Sequence, residues 1–389
     1  MDLQVVEDQL ARWKRNLPRV DPWYAVKCCP DLGVMRTLAL GGCGFDVASK
    51  GEMEAAMQMP GASAERIIYA NPCKQPSHIR AAKEHSIHMT TLDNVDELRK
   101  IHAINPDAKF VVRILGDDSS SVCRFNIKFG IAVEEMEPLL LEGKRLGANM
   151  MGVSFHVGSG CQSADAFVNA VENARIAFDL FVQCGLPEPK FLDLGGGWPG
   201  DTPESKPKVS FEQIATKLGP AIDRLFPSDV QVIAEPGRYF VHAAGTLCVA
   251  VSAKRSVQHV PQMEETDSSA ESSGDEGPAK RQRMDPGFRY YVNDGCYGSF
   301  NCIMYDHRED LVPEFLLSKQ GQPIRTEGLQ LLDCSVFGST CDGIDRISAS
   351  CHLPEVDIGT WFVYTNMGAY TSAAASRFNG FDLPNTFYV

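Results

Sequence analysis

The sequence predicts an α/β chain in two parts, a (β/α)8 barrel with an N-terminal helix over 1–244 and a mostly β domain, sheet or sandwich, over 245–389. Three observations predict it. From Trp23 to about Gly237, eight short apolar runs alternate with helically spaced segments, the order a TIM-like barrel requires. The first strand–helix turn lacks the GxGxxG that opens a doubly wound nucleotide-binding sheet, the rival arrangement. Beyond about 245 the helical spacing gives way to strand-like runs, most of the later ones separated by Gly- or Asp-rich turns.

Taken in order, MDLQVVEDQLARWKRNL reads as a mixed-charge amphipathic helix, not a signal peptide. The eight barrel strands are placed at WYAVKCC, GFDVAS, IIYANPC, HMTTLD, FVVRILG, MGVSFHVG, FLDLGGG and VQVIAEPG, runs rich in β-branched and aromatic residues. Between them, residues 164–184 carry Phe167, Val171, Ala174, Phe178 and Phe181 on one helical face, with Ser163 as N-cap and Gly185 as stop. Ser210 and Gln213 form a capping box ahead of IATKLGPAIDRLF, and EEMEPLLLEGKRLG ends on Gly147. In the second part TLCVAVSAKRSV, FRYYVND, GLQLLDCSVF and TWFVYTN read as strands. They are interrupted at 261–287 by a Ser-, Glu-, Asp- and Pro-rich stretch with almost no aliphatic residues, expected to be a disordered acidic insert because it cannot bury enough surface to order itself.

Composition narrows the function. The 389 residues are 44% hydrophobic and 22% charged, as in ordinary globular proteins. A formal charge of −13 argues against a nucleic-acid partner, which calls for a basic face. No apolar run reaches membrane-spanning length. The 13 cysteines contain no CxxC pair and fit reduced thiols in the cytoplasm. The one HxxH, His85 to His88, has no third ligand in view, so no metal is expected.

Chemistry collects at the C-terminal ends of the eight strands, where a barrel of this kind keeps its active site. Lys27 closes an apolar run, although a lysine is rarely buried without a partner. With it come Asp46, Lys50, Glu52, Arg113, His156, the turn Gly195-Gly196-Gly197, and Glu235 with Gly237 and Arg238. Singly, Asp46 caps a helix, His156 is a core histidine and the glycines make tight turns. Together on one rim they suit pyridoxal 5′-phosphate. Lysine forms a Schiff base with an aldehyde, and a carboxylate holds a pyridine nitrogen protonated. Glycine N–H groups and an arginine fork hold a phosphate.

The runs PWYAVKC, GFDVASKGE, RIIYANPCKQ, SFHVGSGC, LDLGGGWPG, IAEPGRYF, YYVNDGCYGSFNCIMYDH, TCDGIDR and NMGAYT resemble the eukaryotic ornithine decarboxylases, pyridoxal enzymes of the alanine-racemase-like fold-type III. The resemblance covers nearly the whole chain outside 261–287. It implies that Lys27 carries the cofactor and His156 stacks on its ring. Glu235 would pair with the pyridine nitrogen, and Ser159, Gly196, Gly197, Arg238 and Tyr370 would hold the phosphate. Asp46, Glu52 and Arg113 would surround the cofactor. Tyr305, Asp306, Asp342 and Phe378 would contact the substrate, L-ornithine, two carboxylates receiving its distal ammonium. Cys341, from the other subunit of a homodimer with shared sites, would protonate the α-carbon, and Lys128 and Asp345 would pair across that dimer. Antizyme, met near residues 74–105, is a further partner the resemblance brings into view.

The family's usual WGPTCDG reads FGSTCDG here, Phe337-Gly338-Ser339-Thr340, a departure expected to loosen the loop carrying Cys341. Family members also carry an extra N-terminal segment that adds strand to the β domain and, in vertebrates, a longer tail that directs degradation. The alternatives are a decarboxylase of lysine or arginine, and an inactive antizyme-binding homologue. Asp rather than Glu at 306 favours the shorter ornithine, and retention of Lys27, Asp46, Arg113, Arg238, Asp306 and Cys341 favours an enzyme.

Overall fold

The structure, a computed structural model, describes residues 1–205, 207–257, 287–309 and 311–389. The acidic insert expected at 261–287 lies outside the described residues except for Gly287, which belongs to a strand instead. Eight parallel strands close a barrel: β1 (Val20–Ala25), β2 (Gly44–Val47), β3 (Ile67–Tyr69), β4 (Met89–Leu92), β5 (Lys109–Arg113), β6 (Asn149–Ser154), β7 (Phe191–Asp193) and β8 (Gln231–Ala234). Each pairs with its sequence neighbours, and β8 closes on β1 through Val20↔Val232 and Pro22↔Ala234. Mixed α/β composition and barrel closure are as the alternation of runs predicts.

Side-chain alternation divides the barrel's apolar residues into two sets. Trp23, Ile68, Met89, Val111, Phe191 and Ile233, one from each of six strands, form their own cluster inside the barrel. Their neighbours, including Tyr24, Phe45, Val112, Val153 and Leu192, join the larger core beneath the helices. The N-terminal helix, Leu3–Asn16, inserts Trp13 among Trp198, Phe211 and Tyr239 at centroid distances of 4.7–5.2 Å. Its buried Arg12 is paired with Asp201 at 2.8 Å and Glu212 at 2.6 Å. The helix Ala164–Gln183 is capped by Ser163, whose hydroxyl accepts from Ala166 N at 3.3 Å. Ser210 and Gln213 form the expected reciprocal box at 3.3 and 2.8 Å.

Two compact units divide the chain. The first is not 1–244 alone, because Asn366–Ala373 and Thr386–Val389 belong to it along with Met1–Gly245. Backbone bonds explain the correction: Met367 N donates to Gly245 O at 2.8 Å, Gly368 N to His242 O at 3.1 Å and Tyr370 N to Cys28 O at 3.0 Å. The second unit, Thr246–Thr365 with Ala374–Asn385, is built on one six-stranded mixed sheet. Its strands are β9 (Leu247–Val257), β10 (Gly287–Val292), β11 (Phe315–Leu317), β12 (Leu332–Phe337), β13 (Arg346–Leu353) and β14 (Trp361–Tyr364), in the order β11-β14-β9-β10-β12-β13. The three-residue β11 is too short, and the Ser-rich β13 too broken by small polar residues, to stand out as the other four do. Among the described residues no helix is long and apolar enough to cross a membrane.

Candidate cofactor-binding and catalytic site

One cavity of the first unit is lined by Lys27, His156, Ser159, Gly196, Gly197, Glu235, Gly237, Arg238 and Tyr370, together with Ala25 and Trp198. Nine residues predicted to touch one cofactor thus share one wall. Strand β1 stops at Ala25, so Lys27 sits in the following single turn, Val26–Cys28, not in the strand. That turn leaves its side chain 40% exposed while its Nζ is paired with the fully buried carboxylate of Asp46, at the next strand's end. Burial lowers the amine's pKa, but Asp46, Glu235 and Tyr370 outweigh it and the net direction is up. The adjacent carboxylate of Asp46 thus favours the charged form of the amine.

His156 follows β6. Its Nδ1 accepts from Gly158 N at 2.9 Å, which assigns the proton of the neutral ring to Nε2. Burial first, then the charges of Arg113 and Lys27, hold its pKa well below the ordinary imidazole value, so the ring is neutral. Gly197 has φ +99°, and a Cβ there would lie 2.4 Å from Gly158 O, so only glycine makes this turn. Arg238 Nη2 donates to Ser159 Oγ at 3.2 Å and its guanidinium lies 5.1 Å from the Tyr370 ring centroid. Tyr370 itself has φ +54°.

Arg113 ends β5, with its guanidinium 5.4 Å from the Phe129 ring centroid. Burial lowers its pKa, with Glu235, Asp93, Asp193 and Asp46 opposing. Glu52 Oε2 accepts from Ala48 N at 2.6 Å, and burial raises its pKa.

The structure adds Asp193, which the sequence reading passes over as part of LDLGGG. Asp193 ends β7 beside Ile233 of β8, and is 1% exposed. Asp193 Oδ2 and Glu235 Oε1 are both buried with no donor among the described residues, and the two carboxyl groups lie close enough to interact. Both pKa values are raised, by burial first and then by neighbouring carboxylates, Asp46 among them. The position of Asp, last in a strand that ends on the rim, is the signal that could have found it. Phe125 was also missed: its ring meets that of His156 edge-on at 4.9 Å. It lies on the loop that contributes Ser121–Cys123, paired with Ser159–Cys161.

The second unit holds the expected substrate residues. Tyr305 is 64% exposed at the end of the short helix Cys302–Tyr305, and Asp306, which follows it, is buried. Cys341 is exposed, its N–H donating to Asn379 Oδ1 at 3.0 Å. Asp342 accepts a hydrogen bond from the Tyr297 hydroxyl, which lowers the Asp342 pKa and pushes that of Tyr297 up to about 12. Tyr297, absent from the sequence-derived set, stacks on Phe378 at 4.4 Å. Of the residues expected to pair across a dimer, Lys128 is exposed, over Phe129 at 4.9 Å. Asp345 is 1% exposed within the single chain, and both its carboxylate oxygens accept from donors of that chain.

The barrel cavity fits pyridoxal phosphate. It offers an amine for the aldehyde, an arginine and glycine turns for the phosphate, a flat neutral imidazole, and a buried carboxyl short of a donor for the ring nitrogen. A closed barrel that ends in this donor set has the features of a pyridoxal-dependent enzyme. Residues 3–242 match the family described as the pyridoxal binding domain of pyridoxal-dependent decarboxylases, and residues 141–368 match its C-terminal sheet domain. Mouse (Mus musculus) ornithine decarboxylase is 45% identical over 391 residues, covering 100% of this chain and 79% of that protein. Antizyme inhibitor 2 of Xenopus laevis is 44% identical over 389 residues, with the same shares. The lysine/ornithine decarboxylase of Vibrio vulnificus, solved with putrescine, superposes with a TM-score of 0.80 at 30% identity, over 100% of this chain and 93% of that one. The chain belongs to the pyridoxal-dependent decarboxylases.

Proposed function

We propose that this chain is an ornithine decarboxylase, converting L-ornithine to putrescine and carbon dioxide in polyamine biosynthesis. The observation that supports the reading is the single cavity in which Lys27, held by Asp46, faces His156, Glu235 and Arg238. Pyridoxal phosphate, when bound, supplies the sink for the electron pair that carbon dioxide leaves behind. Lys27 Nζ presents the amine, and Asp46 orients it and takes up its charge. Arg238, Ser159 and the N–H groups of Gly196 and Gly197 hold the phosphate, with Gly237 and Tyr370 completing its pocket. His156 offers its neutral face to the ring. The carboxyl of Glu235, backed by Asp193, holds a proton at the ring nitrogen. Asp306 and Asp342 receive the distal ammonium beside Tyr305 and Phe378, and the Cys341 thiol returns a proton to the α-carbon.

Two subunits share each site in this reading, and the reduced thiols support a cytoplasmic setting. The test of activity is an absorbance spectrum of the pure protein, borohydride reduction, and product analysis with ornithine, lysine and arginine. A visible band lost on reduction, with putrescine as main product, is expected. No turnover of any of the three would favour the inactive antizyme-binding reading, which the likeness to antizyme inhibitor 2 keeps in view. The test of sharing mixes Lys27→Ala with Cys341→Ala after mild dissociation. Random reassortment makes about half the dimers mixed, each with one restored site, so activity returns to roughly a quarter of wild type. No recovery after proven exchange would put both residues in one subunit's site.

A further inference from the structure

Phe125 meets the imidazole of His156 edge-on, with ring centroids 4.9 Å apart and planes at 82°. Nothing in the run RFNIKFG marks this phenylalanine, and it is the folding of its loop that brings it there. Asp118, 7% exposed, accepts at Oδ2 from the N–H of Phe125 at 2.7 Å and from that of Asn126 at 3.0 Å. A charged acceptor taking two backbone donors closes residues 118–126 into a firm turn. Asn126 Nδ2 donates back to Gly116 O, and Ser121 Oγ donates to Val157 O at 2.5 Å. The pairs Ser121↔Cys161 and Cys123↔Ser159 tie the loop to the segment that follows His156. A Cβ at Gly158 would lie 2.6 Å from Ser121 Cβ, and one at Gly116 3.0 Å from His156 O, so the two segments run in close backbone contact.

The hydrogen bond from Gly158 N fixes His156 at one atom, Nδ1. A single bond of this kind leaves the ring free to tilt about that atom, and a second ring set against it removes the freedom. We propose that Phe125 is a positioning residue for His156: the loop held by Asp118 brings its ring against the imidazole and sets the plane that the imidazole offers to the cofactor. The proposal rests on the stacking role given to His156 above and deepens it. An edge-on pair of aromatic rings has a preferred geometry, which an aliphatic side chain in the same place would not impose. The same loop pairs with Ser159, placed above at the phosphate, so the ring end and the phosphate end of the cofactor are referred to one frame.

The test strips the whole chain of cofactor and titrates it with pyridoxal 5′-phosphate, then measures circular dichroism in the visible band of the bound cofactor, which follows the orientation of its ring. Phe125→Leu, which keeps an apolar side chain and removes the ring, should weaken cofactor binding by roughly 2- to 10-fold and reduce the dichroism per bound cofactor. Phe125→Tyr, which restores a ring, should return both readouts toward wild type. Asp118→Asn, which keeps the shape and weakens the two N–H bonds, should move both the same way by less, and it carries the test if Phe125→Leu does not fold. In a His156→Asn background, Phe125→Leu should have little further effect, because the group it acts on is gone. An equal loss in both backgrounds would overturn the proposal, as would unchanged affinity and dichroism in folded Phe125→Leu. So would a loss that disappears at high protein concentration, since that would assign the ring to subunit pairing. His156→Asn alone separates the two claims: wild-type affinity and dichroism there would refute the stacking role itself, whereas a loss there that adds to that of Phe125→Leu would refute only the positioning.

Discussion

Two lysines of the barrel rim, Lys27 and Lys74, occupy comparable places and have opposite fates. Lys27 follows β1 and its Nζ meets the carboxylate of Asp46. Lys74 follows β3, is 4% exposed, and its Nζ donates to the carbonyl of Thr91 over the ring of Tyr69 at 5.0 Å. The nearest carboxylate, Glu97, is already engaged, by Lys74's own N–H at 3.1 Å and by Lys100 Nζ at 2.5 Å. Burial acts on both amines. At Lys27 the adjacent carboxylates overcome it and the pKa rises. At Lys74 they do not, and it falls to about 7. The difference teaches that contact with a counter-ion, more than depth, decides the charge of a rim amine.

The comparison can be broken most severely at Lys27. Lys27→Ala should lose activity by about a thousandfold or more, and borohydride should label no other lysine in the wild type. A labelled peptide containing Lys74 would reverse the assignment.

Next in size is Asp46→Asn, which deprives Lys27 of its counter-ion and makes it resemble Lys74. Steady-state kinetics should show a fall in kcat/KM of roughly 10- to 100-fold, the worth of one charge-assisted hydrogen bond. A variant with wild-type kinetics would mean that Asp46 does not set the state of the amine.

The substrate's distal ammonium is a third amine that must leave water, and Asp306 is proposed as its gauge. Asp306→Glu should shift the preference between ornithine and longer diamino acids by about 1–3 kcal/mol, read from competing substrates. An equal decline for all would remove Asp306 from the measuring of length.

The last effect falls on stability and leaves activity aside. The folded pKa of Lys74, about 7, lies below the unfolded value near 10.4. The unfolded chain therefore binds the extra proton, and wild-type stability rises with pH across that interval. Lys74→Met should stabilise the fold by about 1–4 kcal/mol below pH 7, and the gain should fade as pH approaches 10. Thermal unfolding at pH 6 and pH 9.5 checks this; a gain independent of pH would trace to packing instead.

Much of this was legible in the sequence, for reasons that differ by residue. The barrel's strands show because each is a buried run of branched and aromatic residues, and Lys27, His156 and Arg238 show because polar groups stand where such runs end. Asp193 was hidden because a carboxylate in LDLGGG looks like a cap until Glu235 is found beside it. Tyr297 was hidden because a tyrosine among aromatics looks like core, and its bond to Asp342 spans 45 positions. Asp345 is named by family likeness alone, and its donors within the chain, Cys296 N and Thr340, come only from the folded turns. Strand β13, RISASCHL, alternates small polar residues with apolar ones, so neither its length nor its period stands out.

The return of Asn366–Ala373 to the barrel unit also has a temporal side. A ribosome releases Met1–Gly245 well before it reaches Tyr370, and at cellular elongation rates the intervening stretch takes on the order of ten seconds to make. During that interval the nascent barrel holds Lys27, His156 and Arg238 but lacks the tyrosine that closes their cavity. The cavity that receives vitamin B6 thus gains its last lining residue late in synthesis. Synonymous codon changes between 246 and 369 should alter how much newly made protein emerges charged with its coenzyme.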